Sequence, residues 1–185
     1  MNHAEPTVAV DALETFVELL AGADVDGQTD DFYSRLCEAT CRVASMDRAI
    51  IFRYDDARRR VHAAGSYGIE LDLFENAHLT VESAPIGRQA LEEDRVIEVR
   101  DDDTPEVPDE YRDLLREATL VCTPMSAAGR WLGVILSDRG SGSKPLRDSE
   151  RQALWALGKT AALATHARLA TNQHARARML QERID

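Results

Sequence analysis

The chain has 185 residues, 44% hydrophobic and 30% charged, with a formal net charge of −11 at pH 7. That length suits one domain with flanking helices, and that mix suits a soluble globule with a sizeable core. The acidity argues against nucleic acid as a partner, because phosphate backbones repel such a surface unless positive charge is segregated.

Some positive charge is segregated at the end. Residues 166–185 hold Arg168, Arg176, Arg178 and Arg183 against Glu182 and Asp185. A solvated helix face accounts for this better than a nucleic-acid site does. No run approaches the ~20 apolar residues that span a bilayer. The start, "MNHAEPTVAV", has no basic region followed by a long apolar one, so no secretory signal is expected. The expected location is cytoplasmic, without membrane contact. An odd count of three cysteines argues against a disulfide framework.

The elements follow in chain order. Val10, Leu13, Phe16, Val17 and Leu20 recur at helical spacing and predict an amphipathic helix over 10–21. "GADVDGQTD" then reads as a linker. Residues 30–46 predict a second helix, capped by Asp30 or Asp31, with Phe32, Leu36, Thr40 and Val43 on one face. "RAIIFRYD" (48–55) and "VHAAGSYG" (61–68) predict a hairpin closed by "DARRR".

After it comes an irregular segment with a brief strand near Leu79–Val81. Ser83 then caps a helix whose inner face is Ile86, Ala90 and Leu91. "VIEV" (96–99) is a short strand ending in the acidic run Asp101–Asp103. "TPEVP" is a stiff loop, and 109–118 a short helix.

"TLVCTPMSAAGRWLGVIL" (119–136) is two apolar runs about a small-residue turn, hence a second hairpin. "GSGSKP" (140–145) is a flexible loop. From Leu146 the pattern is helical to the end, interrupted only by Gly158. Such a helix would be roughly 60 Å long, so its distal part must project or pair. The expected fold is α+β, with an antiparallel sheet of five to six strands and helices at both ends. The domain boundaries are 1–27 for the first helix and linker, 28–150 for the globular domain, and 151–185 for the exit helix.

Three pieces resemble a GAF domain over roughly residues 28–165. They are the helix-to-strand entry "LCEATCRVASMDRAIIFRYD", the segment "APIGRQALEEDRVIEVRDD", and the last hairpin "TLVCTPMSAAGRWLGVILSDR". The resemblance implies helices packed on one face of the sheet. An inserted middle segment then covers the other face and encloses a small-ligand pocket. It also implies that the exit helix passes a signal to an output domain. The tail "ARARMLQERID" is similar to the helix entering the dimerisation helices of bacterial sensor histidine kinases of the nitrate/nitrogen-response type. The module then resembles the N-terminal sensor of an actinobacterial-type kinase, and the chain stops before any phospho-accepting His motif.

Candidate chemistry is sparse. Cys37 and Cys41 stand at i, i+4 and would share a helix side. As metal ligands they are two of the four a tetrahedral site needs, and as packing residues they are ordinary. Cys122 alternates with Val121 and Thr123, so it shares a face with Leu120 and Pro124. It has no cationic neighbour to activate it.

Free methionine sulfoxide reductase, an enzyme of this fold, carries cysteines in the loop before the last hairpin. "VIEVRDDDTPEVP" has none. Haem-binding relatives supply a His near the strand matching "REATLVC", bilin attachment a Cys-His pair, and cyclic-nucleotide binders an NKFDE-type motif; each is missing here. His62 and His78 flank the middle segment, and His78 falls within it. The glycines at 129, 133 and 140–142 fit turns, not phosphate loops. No Ser/His/Asp order is recognisable.

The expectation is a non-catalytic sensory module, with no catalytic or metal residues and an unidentified ligand. The ligand is lined by Tyr67, Phe74, His78, Ile86, Cys122 and Pro124, which combine apolar walls with a few polar groups. The module pairs as a homodimer through its N- and C-terminal helices and acts on a downstream kinase. The candidate seam on the exit helix is Leu163, Ala167, Ala170, His174, Ala177, Gln181 and Ile184, at alternating four- and three-residue steps. Two alternatives stand beside this: a ligand-free dimerisation scaffold, and a thiol redox sensor using Cys37, Cys41 or Cys122.

Overall fold

The structure is a computed structural model that describes residues 14, 17, 18, 29–74, 80, 82–99, 119–139 and 144–182. Glu14, Val17 and Glu18 are helical; the rest of the 10–21 helix lies outside the described residues. So do the 109–118 helix, the acidic run Asp101–Asp103 and the 140–142 glycines.

Helix α1 (Thr29–Ala44) leads into strands β1 (Arg48–Asp55) and β2 (Arg60–Tyr67). A 3-10 turn (Leu71–Phe74), helix α2 (Pro85–Glu93) and strand β3 (Ile97–Val99) follow. Strands β4 (Thr119–Ala127) and β5 (Arg130–Arg139) precede helix α3 (Asp148–Gln181). The five strands form one antiparallel sheet in the order β2-β1-β5-β4-β3. The α+β fold and the long last helix are as the pattern predicts.

Period-2 alternation divides the core into two. Ala49 and Ile51 of β1 face α1 and α3, together with Val121 and Met125 of β4. Ile50 and Phe52 face the other way, with Leu120 and Cys122. Strand β5 breaks its own alternation. Met125 pairs with Gly133 and Ser126 with Trp131, so Leu132 is an extra residue in a bulge. The bulge shifts the phase and puts Leu132 and Ile135 on the same helix-covered face.

Helix α1 presses Phe32, Leu36 and Cys37 onto this face. Gly65 lets it come close, because a methyl there would meet Tyr33 of α1. Helix α3 lies beside it, burying Leu154, Leu157, Ala161, Ala162 and Thr165. Gly158 sits against β4: a Cβ would collide with the Pro124 carbonyl and come 2.8 Å from Thr123 Cγ2. The Arg168 guanidinium stacks 4.5 Å above the Phe32 ring and joins the two helices.

One buried cation ties the helix ends to the sheet. Arg139 ends β5 with its side chain 9% exposed. It donates from Nε and Nη2 to the Ala44 carbonyl, from Nη1 to the Lys144 carbonyl, and from Nη2 to Glu150 Oε1 at 2.7 Å. Glu150 in turn accepts the Arg147 backbone N–H at 2.8 Å, which satisfies a free donor at the start of α3.

Several local expectations need correcting. Ser83 does not cap α2: its hydroxyl accepts the Thr80 N–H at 2.9 Å and closes a turn, and the N-cap is Ala84. Pro85 in the first turn supplies the preset φ that starts the helix without a side-chain cap. Asp30 and Asp31 lie inside the first turn of α1, which begins at Thr29. Leu79 and Val81 lie outside the described residues, and Thr80 between them is in no strand.

The last third of α3 makes no packing contact with the domain. Residues 171–182 are all exposed, and Met179 and Leu180 are more than half exposed. The helix has 34 residues, roughly 51 Å at 1.5 Å per residue. Of the candidate seam, Leu163, Ala167, His174, Ala177 and Gln181 are exposed and Ala170 is half-buried; Ile184 lies outside the described residues. No helix among the described residues is long and apolar enough to cross a membrane.

Candidate functional site

The sheet face away from α1 and α3 is roofed by the 3-10 turn and α2. Phe74 drops from the turn onto Phe52, edge to face, with ring centroids 5.8 Å apart. Ile86 and Ala90 come down from α2 onto Ile97, Leu120, Cys122 and Leu136. Gly87 of α2 faces Val134 of β5, whose methyls would lie in ordinary contact, 3.7 Å, with a Cβ there.

At the β3 edge this roofed layer opens into a groove of about 750 Å3, a size that suits a small molecule. Its walls are Ile86 and Gln89 of α2, Arg95 and Val96 before β3, Ile97–Val99 of β3, and Arg151, Gln152 and Trp155 of α3. Ile86 and Ile97 belong to both the groove and the apolar layer. The groove therefore joins the roofed face to the exit helix.

Two polar nodes fasten α3 to this region. In the first, Asp94 caps α2 in a left-handed conformation, φ 48°. Its carbonyl accepts the Trp155 indole N–H at 3.0 Å. Its carboxylate takes Lys159 Nζ at 2.5 Å and the Ser126 hydroxyl at 2.9 Å. Partial burial pushes the Asp94 carboxyl up, but hydrogen bonds from Lys159 and Ser126 outweigh it and hold it below its ordinary value. In the second node, Glu98 accepts the Leu146 N–H at 3.1 Å and pairs with Arg151. The Glu98 side chain is 5% exposed, whereas Arg151 is 35% exposed.

The sequence matches the GAF domain family over residues 28–165. The chain belongs to the GAF family. GAF domains are small-ligand sensory modules of signalling proteins. The structure resembles the GAF domain of a phosphoenolpyruvate-protein phosphotransferase from Coxiella burnetii. The TM-score is 0.69 at 15% identity, covering 89% of this chain and 98% of that one. It also resembles the second GAF domain of DevS from Mycobacterium smegmatis, with a TM-score of 0.59 at 17% identity, covering 78% and 96%. The free methionine-R-sulfoxide reductase of Neisseria meningitidis, solved with its substrate, gives a TM-score of 0.64 at 15% identity, covering 88% and 93%. At such identities these neighbours share the fold. A comparison with curated proteins finds no match.

In this GAF domain, three of the predicted lining residues share one layer: Phe74, Ile86 and Cys122. Pro124 is buried and pairs with Val134, the next step along β4. Tyr67 is not brought there. It ends β2, at the sheet edge opposite β3, and is 43% exposed. His78 lies outside the described residues. His62 is exposed on β2. The groove's polar lining, Arg95, Glu98, Arg151 and Trp155, was not anticipated from the sequence. Trp131 packs beside Tyr54 at 6.4 Å.

The three thiols are buried and free. Burial alone pushes Cys122 up to about 12. Burial, then the charges of Asp138 and Asp47, push Cys41 to about 12. Burial and Cys41 raise Cys37, whose Sγ donates to the Gly65 carbonyl at 3.4 Å. A thiolate is the reactive form, and burial disfavours it at all three sites. The expected result with a disulfide dye is no fast labelling of the native protein and three equivalents after denaturation. A fast native equivalent would restore the redox reading. Among the described residues no three His, Cys, Asp or Glu side chains are grouped to hold a metal ion.

Proposed function

We propose that this GAF domain is a non-catalytic sensor in the cytoplasm. It holds a small ligand where the roofed face meets the β3-edge groove. It passes the ligand's presence along α3 to an output partner, a histidine kinase in the parent protein. The carrying observation is that α2, β3 and α3 line one groove, so a molecule seated there touches the exit helix directly. The apolar wall of this reading is Ile86, backed in the packed layer by Phe74, Cys122 and Pro124; Tyr67, on the opposite sheet edge, has no part in it.

The exposed end of α3 supports pairing with a second copy. Its seam is weak, with Ala167, Ala170, His174, Ala177 and Gln181, and a nearly balanced pairing is what a ligand can bias. The buried thiols support the absence of catalysis by cysteine.

Native mass spectrometry of the freshly purified chain, repeated after denaturation, tests this. The expected result is a dimer carrying extra mass that is lost on denaturation. A clean dimer favours the ligand-free scaffold. A clean monomer removes the dimeric mechanism.

A further inference from the structure

The groove's hydrogen-bonding capacity is lopsided. Among the described residues that line it the one carboxylate, Glu98, is 95% buried at the side chain and already accepts the Leu146 N–H on both oxygens and the Arg151 guanidinium. Its two guanidiniums are not saturated. Each carries five N–H donors. Arg151 uses one group on Glu98, and Arg95 uses its Nε on Glu93. Arg95 is 59% exposed and Arg151 35% exposed, and both line the groove. The Trp155 indole N–H is committed to the Asp94 carbonyl, which fixes its ring as an apolar wall. Ile86, Val96, Ile97 and Val99 supply the rest of the apolar surface.

Arg95 is paired with Glu93 and Arg151 with Glu98, so the described charges balance, and what the groove offers is the remaining charge-assisted donors of the two guanidiniums. Unspent donors beside an apolar wall select a ligand with one anionic group and one apolar body. We propose that the groove binds a small amphipathic anion such as a short-chain or aromatic carboxylate. Arg151 is its principal anchor and Arg95 an auxiliary one. Glu98 holds Arg151 from the inner side and so sets its fork toward the ligand, as a positioning residue. Because Arg151 lies in the first turns of α3, the anion's charge is delivered to the start of the exit helix. This rests on the sensory reading above and specifies its ligand class.

The test is an NMR titration of the full chain with hexanoate, hexanamide and hexylamine. It follows the Trp155 indole N–H, assigned with Trp155→Phe, and the arginine Nε–H signals. Hexanoate is expected to move the Trp155 and Arg151 signals saturably, with hexanamide and hexylamine at least tenfold weaker. Arg151→Gln is expected to weaken hexanoate tenfold or more, Arg151→Lys less, and Arg95→Gln two- to threefold. Arg151→Lys keeps the charge that balances Glu98, so it guards against loss through misfolding.

Equal binding of hexanoate and hexanamide would overturn the anion assignment and leave the groove as a ligand site. Hexanoate binding unchanged in both Arg151 variants would overturn the anchor. If no probe moves the indole signal while native mass spectrometry shows retained ligand, this inference fails alone. If both are blank, the sensory reading fails with it.

Discussion

Gly133→Ala is expected to destabilise the domain by about 3–5 kcal/mol, lowering the melting temperature by roughly 10 °C. Two costs combine at this position. Its φ is +152°, which L side chains rarely adopt. An added Cβ would also drive into the Phe52 carbonyl and come 3.1 Å from Arg53 Cα on the neighbouring strand. Strand β5 is paired on both sides, by β1 and β4, so it cannot retreat from the clash. The bulge also sets the phase of Leu132, and straightening it would turn Leu132 away from the helix-covered core.

Gly129→Ala is the control. Its φ is +71°, but nothing lies within 4 Å of a Cβ there. It carries backbone strain without collision, about 1–2 kcal/mol. Urea unfolding of both variants separates the two costs. Equal losses would mean that the close approach to Phe52 is not rigid.

The bulge also marks the limit of what the sequence shows. The apolar runs in "RAIIFRYD" and "TLVCTPMSA" announce strands, and alternation assigns Ile50, Phe52, Leu120 and Cys122 to one face. That half of the site was legible because side-chain direction in a strand is a local property. A one-residue phase shift in "RWLGVIL" is not local. It depends on which residues of β4 and β1 stand opposite, so the shared face of Leu132 and Ile135 is invisible until the pairing is known.

The polar half of the site was hidden for a related reason. Glu98 reads as an exposed position in a short strand, yet its partner Arg151 is 53 residues away on another element. Asp94 and Lys159 are separated by 65 residues. Neither pairing has a spacing rule, because each is made by packing α3 across the sheet edge. A charged residue within an edge strand such as "VIEV" is the one available signal, and it names no partner. Tyr67 shows the opposite error: its composition suited a pocket, but the strand order put it on the far edge.

Glu150→Ala is expected to cost about 3–5 kcal/mol, because it leaves the Arg139 guanidinium buried without its counter-charge. Arg139→Met should cost a similar amount by a different route. It leaves the carboxylate with the Arg147 N–H and the exposed Arg147 guanidinium at 3.4 Å, and it also strips both donors from the Ala44 carbonyl. The double variant should cost less than the two single losses together, since one partner's removal relieves the other's uncompensated charge. It should still fall short of wild type, because removing Arg139 takes the donors from the Ala44 and Lys144 carbonyls.

Acid gives a second reading of the same pair. Burial pushes Glu150 up, but hydrogen bonds from the Arg147 N–H and from Arg139 outweigh it, so its folded value lies below its ordinary 4.5. A carboxyl depressed on folding adds stability that is fully present above its unfolded value and lost as pH falls through its folded one. The gap in melting temperature between wild type and Glu150→Gln should therefore narrow below about pH 4.5. A gap that stays constant to lower pH would mean that the interaction is not ionic. Since Glu150 also caps α3, losing it should loosen the helix start before the rest of the domain. Faster amide exchange is then expected over 148–154 than over α1. Uniform exchange would instead place the node within the common core, and the exit helix would have no separate hinge there.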